Sequence, residues 1–274
     1  MQPLELGVCN WSLQIPDLDT CLGTIREQLG LGVVQLGWWD DGYKQTDAVL
    51  KLVEKHGLTV SATCAGFVGE DYSTIQRIAE TGGYKPDDTW DARFAKTVEM
   101  ADLTLQLGTK LLATHIGFVP HDKADPKHGV MVDRLKKVTD ALGEKGVTLV
   151  METGQEKADD LLDFIAAVGR DNISVNFDPA NMILYGVGEP IDAVQTLREK
   201  IDHVHMKDAV WAGNPTEEWG EEVILGTGDA DIPRIVSKLR SGGYTGPLII
   251  EREAGDSRIA DIQEGIDLLR DMLE

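Results

Sequence analysis

The sequence predicts a single (β/α)8 TIM barrel, with a parallel eight-stranded core and one domain spanning residues 1–274. Three observations predict it. Eight short runs of β-branched and aliphatic residues alternate with amphipathic helical stretches along the whole chain. The length of 274 residues suits one such barrel without a second domain. No linker or composition shift interrupts the rhythm, and no GxGxxG follows the first run, as an open dinucleotide-binding sheet would need.

Taken in order, the first strand is expected at 4–9, with an amphipathic helix at 17–29. The second strand, 33–36, precedes a helix at 43–55, and Gly57 supplies its C-terminal stop before the third strand at 58–64. Residues 65–88 are irregular and rich in glycine, with a short helix over 73–80. A loop of that length above a barrel mouth is usually functional. A long helix at 91–107 ends before Gly108 and leads to the fourth strand at 110–115. The second half repeats the unit with shorter loops. Helices are expected at 130–144, 159–168, 191–200, 232–240 and 259–273, and strands at 147–152, 173–178, 203–207 and 248–251.

Composition narrows the function. A net charge of -21 argues against nucleic acid, whose binding rests on Lys and Arg neutralising phosphates. No run of eighteen apolar residues occurs, so no membrane-spanning helix is expected. The opening MQPLELGVCNWSL lacks the basic and apolar regions of a secretory signal. Three cysteines without CxxC spacing fit buried, reduced thiols, and a cytoplasmic location is expected.

The last four apolar runs carry the chemistry. Glu152 ends VTLVMETG, Asp178 ends ISVNFDPAN, His205 stands in IDHVHMKD, and Glu251 follows PLII. Buried carboxylates are costly unless paired or bound to a cation. On consecutive strands of one barrel these four converge above the strand ends, where active sites of such barrels lie. Three carboxylates and an imidazole suit one divalent metal ion: Mn²⁺, Mg²⁺, Co²⁺ or Zn²⁺. Each acid alone has a structural reading as well, as a helix cap, a turn opener or an ion-pair partner. Strand alternation puts His203 on the same face as His205, but deeper. His115, at the end of the fourth strand, reads equally as a substrate contact or a core histidine. His56, His121 and His128 are expected at the surface. Of Trp11, Trp38 and Trp39, one is expected to stack on a substrate. In GTGDADIP, Asp229 or Asp231 is placed near a helix N-terminus.

The segments VMETG, NFDPANM, HVHMKD, GTGDADIP and IIERE resemble the xylose isomerase-like barrel superfamily of sugar and sugar-phosphate isomerases and epimerases, over essentially the whole chain. The resemblance implies that Glu152, Asp178, His205 and Glu251 hold one metal ion, and that Glu152 and Glu251 also move a proton on the two faces of the substrate carbon. The implied chemistry is isomerisation or epimerisation of a small sugar or sugar-like ketose through a metal-stabilised enediolate. His115, Asn181, Lys207 and Trp11 are the implied substrate contacts, and a homo-oligomer, dimer or tetramer, is implied as well. The chain departs from the epimerases in carrying Asn181 where they have His, and Trp211 where they have Arg. Lys207 either supplies the missing charge or pairs with Asp208 or another acid. An inosose dehydratase-like lyase and a non-catalytic, metal-containing sugar-binding barrel are the alternatives. The endonucleases of the superfamily need a three-metal cluster and more histidines than the six present here.

Overall fold

The computed structural model describes residues 4–274, so the first three residues of the expected domain lie outside the described ones. Seven parallel strands follow in chain order: β1 (Leu6–Cys9), β2 (Val33–Trp38), β3 (Thr59–Ala65), β4 (Leu111–Thr114), β5 (Thr148–Glu152), β6 (Ile173–Phe177) and β7 (Ile201–Met206). An antiparallel pair, β8 (Asp208–Val210) and β9 (Glu221–Val223), comes next, and β10 (Leu248–Ile250) pairs with both β7 and β1 to close the barrel. The predicted (β/α)8 barrel is therefore the fold. The strands read as near-continuous apolar runs because helices cover their outer faces while side chains fill the inside.

Among the described residues, ten helices surround the barrel: α1 (Leu18–Gly23), α2 (Thr46–His56), α3 (Ile75–Thr81), α4 (Trp90–Gln106), α5 (Pro126–Lys145), α6 (Ala158–Val168), α7 (Pro179–Leu184), α8 (Pro190–Thr196), α9 (Ile232–Ser241) and α10 (Arg258–Leu273). Each core-facing stripe follows the helical period. In α9 it is Ile232, Ile235, Val236 and Leu239, all buried, and each such side chain contributes about 1.5–3 kcal/mol. Gly57 and Gly146, in the left-handed region at φ 59° and 79°, close α2 and α5 where a side chain would be strained.

Several boundaries differ from expectation for local reasons. The 17–29 helix is α1 followed by a wide turn over Thr24–Gln28. α5 starts four residues early because Asp125 accepts from the Lys127 N–H and Pro126 opens the helix. β7 begins at Ile201, and a register shift opposite β6 leaves Asp202 exposed while His203 faces inward. Neither α7 nor the β8–β9 hairpin was expected. Among the described residues, no helix is long and apolar enough to cross a membrane.

Candidate metal centre

The four candidate ligands meet at the C-terminal end of the barrel. Glu152 is the last residue of β5, and His205 lies inside β7. Asp178 and Glu251 directly follow β6 and β10. One ligand atom from each of the four lies within 4.8 Å of the others. His205 Nδ1 is 2.9 Å from Glu152 Oε1, 3.5 Å from Glu251 Oε2 and 3.7 Å from Asp178 Oδ2. His205 Nε2 points the other way, 2.6 Å from Gln35 Oε1 and 3.6 Å from Cys9 Sγ. His203 sits below, between Asn176 Oδ1 at 2.9 Å and Ser61 Oγ at 3.0 Å, as its place on the strand implied.

Local backbone chemistry fixes Asp178. The Thr153 hydroxyl accepts from the Asp178 N–H and donates to its carbonyl oxygen. Pro179 opens α7, and Asp178 Oδ1 caps that helix by accepting from the Asn181 N–H at 3.0 Å. The other oxygen, Oδ2, is buried with no hydrogen-bond partner. Burial pushes the Asp178 carboxyl up to about 6, against the pull of His205 and Lys207. Burial also acts on Glu251, but Lys207 and His205 outweigh it and hold that carboxyl well below its usual range.

Above the centre opens a cavity of about 430 Å³. Glu152, Glu251, His115, Asn181, Lys207 and Trp11 all line it. The Trp11 indole N–H donates to Glu251 Oε1 at 2.8 Å. Trp39 stands edge-on to Trp11 at 5.4 Å and lies against Gly66, where any Cβ would approach the indole to 2.4 Å. Of the three tryptophans weighed from the sequence, Trp11 and Trp39 line the cavity, together with Trp219, and Trp38 is buried in the core. His115 Nδ1 is 3.7 Å from Glu70 Oε1, and neither ring nitrogen makes a hydrogen bond.

Lys207 is buried and pairs with Glu253 at 2.6 Å and Glu251 at 2.8 Å, with Glu222 at 3.8 Å. Its expected neighbour Asp208 is occupied elsewhere, accepting from the N–H groups of Gly226, Gly228 and Ala230 and so ordering the GTGDADIP turn. Asp231 caps α9, whereas Asp229 accepts from the Trp211 N–H. Trp211 packs against the core. His56 is half-buried against Asp19 at 2.6 Å, where a solvated side chain was expected.

Sequence reasoning missed Gln35 and Cys9 below the centre, and Glu70, Gln155, Trp219, Glu222 and Glu253 around the cavity. Gln35 carried a signal, as the one strongly polar residue in the buried run VVQLGW. Cys9 ends β1 as one more apolar residue of its run and Glu222 lies in the three-residue β9, while Glu70, Gln155, Trp219 and Glu253 lie outside regular elements, where no period marks them.

Against known proteins, the model of the family described as "Xylose isomerase-like TIM barrel" matches residues 26–272. A xylose isomerase domain protein from Planctomyces limnophilus is 32% identical, with 98% of this chain and 97% of that chain covered and a TM-score of 0.89. An L-ribulose 3-epimerase shares the fold at 19% identity and a TM-score of 0.75, over 98% of this chain and 94% of that one. Protein YihM of Escherichia coli (strain K12) is 25% identical over 151 residues, which are 54% of this chain and 46% of that relative. The chain belongs to the xylose isomerase-like TIM barrel family.

Proposed function

We infer that the protein is a divalent-metal-dependent isomerase or epimerase of a small sugar or sugar-like ketose. Glu152, Asp178, His205 and Glu251 are its metal ligands, and Glu152 and Glu251 its acid/base pair. The observation that carries this reading is Asp178 Oδ2, a buried carboxylate oxygen with no hydrogen bond, on one of four residues that each bring a ligand atom within 4.8 Å of the others. A buried carboxylate costs several kcal/mol unless a cation meets it. Three oxygens and one imidazole nitrogen fit Mn²⁺, Mg²⁺, Co²⁺ or Zn²⁺.

When bound, such an ion supplies Lewis-acid polarisation of a carbonyl and its neighbouring hydroxyl. The remaining work falls to this chain's side chains. Glu152 is the more open of the two glutamates, with 19% of its side chain exposed, and is suited to taking a proton from the carbon next to the carbonyl. Glu251, held ionised by Lys207 and oriented by Trp11, faces the cavity from beyond β10, with β7 and β6 between it and Glu152. Carboxylates on two sides of the substrate allow a proton removed from one face to return on the other, which is epimerisation. Return to the adjacent carbon is isomerisation. Trp11 and Trp39 offer faces to the sugar's C–H surface, while His115, Asn181 and Lys207 contact its hydroxyls. The named activity of the L-ribulose 3-epimerase that shares the fold agrees with this reading.

The test is exchange of substrate α-protons into deuterated water, using Mn²⁺-loaded protein and a panel of ketoses and inososes. Exchange should require the metal and fall by about 10²–10⁴ in Glu152→Gln. Unchanged turnover in that variant, or exchange that survives chelation, overturns the assignment.

A further inference from the structure

We propose that the substrate is an uncharged polyhydroxylated molecule, and that Glu222 and Glu253 bar phosphorylated or carboxylated analogues by neutralising Lys207. This rests on the sugar-processing reading above and adds a selection rule to it. The cavity wall carries five carboxylates, from Glu70, Glu152, Glu222, Glu251 and Glu253, and one cation, Lys207. An ammonium has three N–H groups. Lys207 donates two of them, to Glu253 at 2.6 Å and Glu251 at 2.8 Å, and Glu222 at 3.8 Å adds a third carboxylate charge without a hydrogen bond, which leaves one N–H for a neutral hydroxyl. The β8–β9 hairpin brings Glu222 into place, since β9 pairs antiparallel with β8 one residue after Lys207. Arg252 is turned aside, to Glu222 at 2.8 Å and Asp261 at 3.0 Å. A phosphate entering here would find both nearby protein cations, Lys207 and Arg252, already paired with carboxylates.

The other usual anion seat is also filled. Helix α7 begins at the cavity floor, but its capping position holds the Asp178 carboxylate, which already takes the Asn181 N–H. A divalent cation, Lys207 and Arg252 together bring four positive charges against the five wall carboxylates and Asp178, so carboxylates still outnumber the positive charges when the site is loaded. What it offers instead is neutral. Gln155, His115 and Trp219 line it with polar atoms that find no partner in the protein, suited to hydroxyl groups.

The test titrates inorganic phosphate into the whole protein in excess Mg²⁺ and follows the heat. Wild type should show no saturable binding in the millimolar range. Glu253→Gln, a change at a half-exposed side chain, should gain phosphate affinity by about tenfold. The double variant Glu222→Gln/Glu253→Gln should gain more, and circular dichroism checks that both fold. Saturable binding to wild type at the variants' affinity overturns the proposal, and so does a folded Glu253→Gln protein that still refuses phosphate. Elemental analysis of the same samples reads the metal assignment separately: a metal-free wild type that refuses phosphate sinks that assignment and leaves this one standing.

Discussion

Lys207 Nζ lies 2.8 Å from Glu251 Oε2, with both side chains buried, and the Trp11 indole fixes the other carboxylate oxygen. One carboxylate is thereby charged and immobilised at the same time. Breaking a buried pair by removing one partner costs more than the pair's own net worth, because the remaining charge is stranded.

Lys207→Met should therefore destabilise the metal-free protein by about 3–5 kcal/mol. The effect has a pH signature. Because Glu251 is held below the ordinary carboxylate value of 4.5, its stabilisation is present above that value and fades as pH falls through the depressed folded value. The gap in melting temperature between wild type and variant should be widest near pH 8 and shrink on acidification. A gap that stays constant with pH speaks against the ion pair as its cause.

Asp178→Asn should stabilise the metal-free protein near pH 8 and abolish its stabilisation by divalent ions. Asn keeps an acceptor for the Asn181 N–H, so the α7 cap survives, while the unpartnered charge disappears. Asp178 is raised from 3.8 to about 6, so its contribution is full below 3.8 and is lost as pH rises through 6. Above that, the ionised carboxylate costs the apo protein on the order of 1–3 kcal/mol. Melting with and without Mn²⁺ reads both effects; equal stabilisation of wild type and variant by the ion would remove Asp178 from the ligand set.

The elements read best from sequence are those whose burial leaves a period or a punctuated apolar run. β6 is buried throughout and β5 everywhere but at its two end residues, and their strand pattern locates them to within a residue. α7 has six residues, and β8 and β9 three each, too short for any period to show. The same limit governs the site. Glu152, Asp178, His205 and Glu251 are conspicuous because each interrupts or ends an apolar run, so their convergence follows from strand order. Glu222 and Glu253 come from a short hairpin and a loop, and only tertiary packing brings them to Lys207. From the sequence Lys207 could pair with Asp208 or another acid; the structure brings it Glu251 and Glu253, while Asp208 takes the N–H groups of the GTGDADIP turn.

Gln35→Leu should weaken divalent-ion binding by about 10–100-fold while leaving all four ligands in place. Gln35 Oε1, 2.6 Å from His205 Nε2, is positioned to accept that ring N–H and so to leave Nδ1 as the atom facing the carboxylates. Leu is apolar, close in volume, and fits the buried position. Calorimetric Mn²⁺ titration measures the loss. Unchanged affinity in a folded variant would mean that the acids alone orient the imidazole.

Glu156→Gln should stabilise the protein in a pH-dependent way. Glu156 is 5% exposed and accepts the Val119 N–H at 2.8 Å, an interaction that a Gln carbonyl oxygen can reproduce. Burial raises its carboxyl from 4.5 to about 7, against the opposing pull of the Val119 N–H and His115. A raised folded value means that the stabilising contribution of the neutral acid is full below 4.5 and is lost as pH climbs through 7. At pH 8 the wild type thus carries a buried, ionised carboxylate, and replacing it should gain up to about 3 kcal/mol. At pH 4.5 the two proteins should melt together. Denaturant unfolding at both pH values decides it: a variant less stable at pH 8 would mean that the ionised form of Glu156 is the one the fold selects, with Lys85 the nearby cation to compensate it.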